Sequence, residues 1–177
     1  FADIVQFTEF AATVPPERLV SQLNQIMSDF DHLTEAHGLE KIKTIGDEYM
    51  VAAGLPSPNP PANPVVAMAD LALAMQHTIQ TQTRPDGSPF QLRIGIHCGA
   101  AVAGVIGVKK FAYDLWGDTV NVASRLEGTC QPGHIHISQA VCDQLGDRFH
   151  LKPRGDIALK GKGYIQTHWL LAHKVTH

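Results

Sequence analysis

The sequence predicts an α+β fold: a ferredoxin-like βαββαβ core with additional C-terminal strands and a helix, on an antiparallel sheet covered by helices on one face. Three observations carry it. Residues 90–97 alternate Phe90, Leu92, Ile94, Ile96 against Gln91, Arg93, Gly95, His97, the pattern of a half-buried strand. Two stretches, 16–36 and 64–79, carry apolar residues at helical spacing, and two strand-like runs between them meet at Gly46-Asp47, a turn dipeptide.

In order, the chain opens on Phe1-Ala2-Asp3-Ile4-Val5, apolar up to Asp3 and then entering a helical pattern. It reads as starting within a strand, so 1–177 is expected to be one domain cut from a longer protein. Pro16 suits a first helical position, and Leu19, Leu23, Ile26, Met27, Phe30 and Leu33 form one stripe ended by His37-Gly38. Residues 39–53 read as a hairpin, with glycine at the first turn position as type II′ geometry prefers. Residues 55–64 hold five prolines and read as a stiff surface loop. Asn63-Pro64 then caps and starts a helix with Met68, Leu71, Ala72, Met75 and Ile79 on its buried face.

The small-residue run at 99–107 reads as a strand another backbone can approach closely. A further strand end, the Gly117-Asp118 turn and a helix follow, with Asp118 or Thr119 as its cap. Thr119, Val122, Ala123 and Leu126 fall on one stripe of that helix, and Asn121 and Arg125, four apart, on the opposite one. Then come a short strand at 134–137, a helix capped by Ser138, and strands near 149–152 and 165–171 flanking the basic loop Leu159-Lys160-Gly161-Lys162-Gly163.

Composition bounds the function. At 177 residues and 44% hydrophobic content, the chain suffices for one sizeable core, expected to be soluble, and no apolar run reaches a membrane span. A formal charge of −3 argues against a nucleic-acid binder. Three cysteines without metal-ligand spacing fit reduced thiols in a cytoplasmic domain. Of ten scattered histidines only His134 and His136 are close, and alternation reads them as solvent-facing strand residues.

The chemistry-bearing candidates are few. Asp3 at a strand end and Asp47 at a hairpin tip can share a hard cation if their strands are neighbours, while Gly-Asp is also an ordinary turn. Helix N-terminal N–H groups beside Asp3 can hold phosphate oxygens. Lys43, inside a strand, needs solvent or a partner. Asn121 and Arg125 present an amide and a guanidinium together, which suits a polyanion bearing hydroxyls; a capped helix with a solvated face has the same spacing.

Five motifs in order resemble the class III nucleotidyl cyclase catalytic domain, the family of adenylate and guanylate cyclases. They are Phe1-Ala2-Asp3-Ile4-Val5-Gln6-Phe7-Thr8; Lys41-Ile42-Lys43-Thr44-Ile45-Gly46-Asp47; Leu92-Arg93-Ile94-Gly95-Ile96-His97-Cys98-Gly99; the run from Tyr113-Asp114-Leu115-Trp116-Gly117-Asp118 to Arg125; and the loop around Lys160. The resemblance implies that Asp3, Ile4 and Asp47 form the metal site for two Mg²⁺ or Mn²⁺ ions. It implies that Arg125 and Asn121 act on the transition-state phosphate and the ribose. Lys43 and Asp114 would select the base, and Lys160, Phe7 and Thr8 would contact substrate. Family guanylate cyclases typically carry glutamate at the place of Lys43, so the implied reaction is ATP to cyclic AMP.

Both residue sets stand on one chain, which implies a homodimer with composite sites, and sensor or regulatory domains are expected in the full-length protein. Ala100 stands where some members have an arginine reaching the terminal phosphate. The alternatives are a guanylate cyclase, a diguanylate cyclase (Gly46-Asp47-Glu48-Tyr49 resembles that family's hairpin signature, though Ile45 replaces its preceding glycine), and a silent nucleotide-binding regulatory domain.

Overall fold

The computed structural model describes residues 1–175. Its first half runs β1 (Ala2–Ile4), α1 (Phe7–Ala11), α2 (Pro16–Ala36), β2 (Glu40–Ile45), β3 (Glu48–Ala52), α3 (Pro64–Ile79) and β4 (Leu92–Ile96). The strands pair antiparallel in the order β2-β3-β1-β4, the ferredoxin-like arrangement expected. The second half adds β5 (Val102–Ile106), β6 (Ala112–Trp116), α4 (Asp118–Gly128), β7 (Ile135–Ser138), α5 (Gln139–Leu145), a 3₁₀ turn over Gly146–Arg148, β8 (Phe149–Leu159) and β9 (Gly163–His173). β7, β9 and β8 extend the sheet to seven strands, while β5 and β6 form a separate two-stranded hairpin.

Local signals account for most boundaries. Asn63 Oδ1 accepts from the N–H groups of Val65 and Val66, both at 3.1 Å, capping α3. Gly46 has φ +60° and Ile45 faces Glu48, so the hairpin turns on two residues. The Ser138 hydroxyl accepts from Val141 N–H at 3.4 Å and starts α5.

The expected cap of α4 is not used. Gly117, at φ +139°, precedes the helix with no side-chain cap; the Thr119 hydroxyl instead donates to Ala100 O at 2.6 Å, and Asp118 pairs with Lys162. The loop at 99–101 claims the threonine first.

The sheet departs from the all-antiparallel expectation in one place. β4 and β7 run parallel, because the chain between them crosses over through β5, β6 and α4. Gln76, buried in α3, donates to Leu92 O and His134 O, both at 3.1 Å, and so ties this pair together.

Nor do helices cover one face only. Leu92, Ile94 and Ile96 join Leu71, Ala72 and Met75 of α3 in the main core. Gly95 points the other way, where a Cβ would lie 2.2 Å from Glu127 N and 2.6 Å from Ala123 O. α4 therefore rests on the backbone of β4, and Val122 and Leu126 close a smaller core with Ile157 and Leu159 of β8.

This second layer overturns the reading of His136 as solvent-facing. His136 is 0% exposed, its Nδ1 lies 2.8 Å from Leu126 O, and burial pushes its pKa down to about 4. His134 is half-buried, its ring 4.9 Å from that of Trp169. Among the described residues no helix is long and apolar enough to cross a membrane.

The contact at Gly95 makes a sharp prediction. Gly95→Ala forces its methyl into the α4 backbone, which no rotamer change relieves, and should cost about 3 kcal/mol or prevent folding, read from urea unfolding. Ala at Gly128, where an added Cβ meets nothing within 4 Å, is the control expected to leave the midpoint almost unmoved.

Candidate active site

Sheet order brings the two candidate aspartates together. Asp3 lies one residue before the end of the central strand β1, and pairing of Ala2 with Tyr49 sets the β2–β3 turn beside that end. Burial first, and then the Asp3 carboxylate, push the Asp47 pKa up to about 6, while the N–H groups of Asp47 and Ile4 pull it down. Among the described residues no three His, Cys, Asp or Glu side chains cluster closely enough to hold a metal. Two crowded carboxylates nonetheless fit a divalent cation, since it relieves their repulsion, and remaining ligands must come from backbone, substrate or water. Ile4 is 1% exposed, which leaves only its main chain to contribute.

A second pair forms across the β2–β6 contact. Lys43 Nζ donates to Asp114 Oδ2 at 2.6 Å, and Asp114 Oδ1 accepts from Leu115 N–H at 2.8 Å. The lysine first, and then that N–H, hold the Asp114 carboxyl below its ordinary range. The strand lysine thus has its partner 71 residues away.

On α4, Val122 and Leu126 point inward while Asn121 and Arg125 are exposed one turn apart. Lys160 lies exposed in the turn between β8 and β9; among the described residues neither it nor Arg125 makes an ion pair. Thr8 is exposed at the start of α1, where the first N–H groups lack helical acceptors, and the Phe7 ring sits 5.9 Å from Phe10. These residues line open surface. The cavity of about 190 Å³ between α3, α4 and the sheet is bounded by groups such as Met50, Met68, Met75 and Leu115 and includes none of them.

Two residues at this site escaped the sequence reading. Arg93 faces Asp3 directly across the β1–β4 pair, donates to its carboxylate at 2.5 Å, and has Nε 3.3 Å from Glu127 Oε1. Glu127 is 7% exposed, and its pKa is pushed up to about 7 by burial and then by Asp3, with Arg93 opposing. The available signal was Glu127 standing four residues after Ala123, on the stripe read as buried.

Known proteins resemble this chain in sequence and fold. The family model described as the adenylate and guanylate cyclase catalytic domain matches residues 1–172. An adenylate cyclase of Mycobacterium tuberculosis is 47% identical over 175 residues, covering 99% of this chain and 39% of that protein. Guanylate cyclase 2G of Mus musculus is 42% identical over 174 residues, covering 96% of this chain and 16% of its own length. The chain thus spans well under half of these curated relatives. The crystal structure of the guanylate cyclase domain of RhGC from Catenaria anguillulae, in complex with GTP, superposes with a TM-score of 0.90 at 33% identity, covering 98% of this chain and 94% of that one.

The Asp47 shift sets a pH dependence. With a folded pKa of about 6 against an ordinary 3.8, the folded state holds the extra proton between those values. The cost of the charged carboxylate is therefore full above about pH 6 and is relieved as pH falls toward 4. Asp47→Asn should be more stable than the parent at pH 7.5 in chelator, with the advantage gone near pH 4; urea midpoints across that range check it.

Proposed function

Because the chain belongs to the adenylate and guanylate cyclase catalytic domain family, we propose that it converts ATP to 3′,5′-cyclic AMP and pyrophosphate at the interface of a homodimer. The observation that carries the choice of ATP is the Lys43–Asp114 pair. Adenine offers an acceptor at N1 to the ammonium and a donor at N6 to the carboxylate; guanine presents the reverse order, leaving each group facing its like. A mismatch that leaves both polar groups unsatisfied discriminates strongly.

In this reading Asp3 and Asp47, with the main chain of Ile4, hold two divalent cations, Mg²⁺ or Mn²⁺. Such ions supply a more acidic ribose 3′-hydroxyl and charge neutralisation at the α-phosphorus. Asn121 orients the ribose by hydrogen bonds from its amide. Arg125 donates to the α-phosphate as negative charge builds there, the charge-assisted contact that lowers the barrier to phosphoryl transfer. Lys160 and the N–H groups at Phe7 and Thr8 hold the outer phosphates, a share enlarged by Ala100 offering no cation.

The homodimer rests on two observations. Asn121 and Arg125 face outward from a chain that does not enclose them, and the β5–β6 hairpin exposes Val102, Val105, Ile106, Val108 and Phe111 at 59 to 91%. Five large apolar side chains exposed on one hairpin mark an interaction surface. A second copy laid on it supplies the missing wall. The net charge of −3 gives nucleic acid no footing. Free Cys98, Cys130 and Cys142 fit a cytoplasmic domain, and sensor or regulatory domains belong to the rest of the full-length protein.

Two experiments test this. Incubated at high concentration with ATP or GTP and Mg²⁺ or Mn²⁺, the purified domain should make cyclic AMP from ATP, a product lost in Asp47→Ala; cyclic GMP instead would overturn the base assignment. Asp47→Ala and Arg125→Ala, each inactive alone, should recover roughly a quarter of parental activity when mixed, because half the dimers are mixed and each has one intact site. Full silence of the mixture despite dimerisation would exclude composite sites.

A further inference from the structure

Arg93 stands between two carboxylates but is fully bonded to only one. Its Nη2 donates to Asp3 at 2.5 Å, whereas its Nε and Glu127 Oε1, 3.3 Å apart, both lack a hydrogen-bond partner. Glu127 is held there by the fold, since its own backbone N–H lies against Gly95, two residues along the same strand. It is a nearly buried acceptor aimed at a guanidinium already in place.

Resting on the metal-site reading above, we infer that Arg93 is the resident cation of that site, holding Asp3 until a divalent ion arrives and then turning onto Glu127. With Asp3 and Asp47 holding a divalent ion, Arg93 would lose its hold on Asp3 to the like charge. The Arg93 guanidinium is half-buried with its Nε shut off from solvent, so losing its carboxylate would be costly, and a second acceptor within reach is what makes the exchange possible. Closing the existing 3.3 Å approach by about half an ångström turns it into a charge-assisted hydrogen bond. Arg93 and Glu127 are thus positioning residues: they touch no substrate, and they set how readily Asp3 is released to the ion.

The test is Mn²⁺ binding to the purified domain, read from the electron paramagnetic resonance of free Mn²⁺ without nucleotide or turnover. Glu127→Gln should weaken Mn²⁺ affinity about tenfold, the scale of a typical coupling between sites, because Arg93 then has only a neutral amide oxygen to turn onto and the charge-assisted bond is lost. In an Arg93→Gln background the same substitution should change affinity less than threefold, as an exchange requires. Equal factors in both backgrounds would show that Glu127 acts only through its charge, and would overturn the inference while leaving the metal site intact. Mn²⁺ binding unaffected by Asp47→Ala would instead overturn the metal-site reading, and the exchange with it. Should Arg93→Gln lose its cooperative thermal transition, Arg93→Lys takes its place: a shorter head that cannot reach both carboxylates should likewise shrink the Glu127→Gln effect.

Discussion

The close approach of α4 to the backbone of β4 at Gly95 is the contact on which the candidate site depends. With Glu127 N and Ala123 O where a Cβ would lie, the helix can settle only over a glycine. From that seat α4 turns Asn121 and Arg125 outward, shuts His136 away from water and brings Glu127 to Arg93. A helix displaced by even a side chain's width would hold none of these relations.

The same site is where electrostatics work against folding. Asp3 and Glu127 flank Arg93 and Asp47 stands beside Asp3; burial and like charge push the pKa values of Asp47 and Glu127 up, a cost the rest of the core must offset. Among the described residues two apolar clusters, one under α2 and α3 and one under α4, contribute to that offset. The Lys43–Asp114 pair is different in kind. Each member satisfies the other in the free protein, so a base that enters must offer both an acceptor and a donor in exchange.

Much was legible locally. Alternation located β4, helical stripes located α2 and α3, and Asn63, Gly46 and Ser138 marked the ends where the structure has them. The cap of α4 was not, because Thr119 is claimed by a carbonyl 19 residues upstream. Nor was the burial of His136, since alternation tells which residues share a face and not whether that face is covered.

The sequence by itself determined the element types, the family and the inventory of candidate residues, because each depends on short-range spacing and on motifs read along the chain. Tertiary structure alone decided the parallel β4–β7 pair, the helix on the second face, and which charges meet. Asp3 reaches Arg93 across 90 residues and Lys43 reaches Asp114 across 71, through strand register and hairpin packing. Register is a property of the assembled sheet, set when all its strands bury their apolar sides at once, and no single stretch of chain contains it.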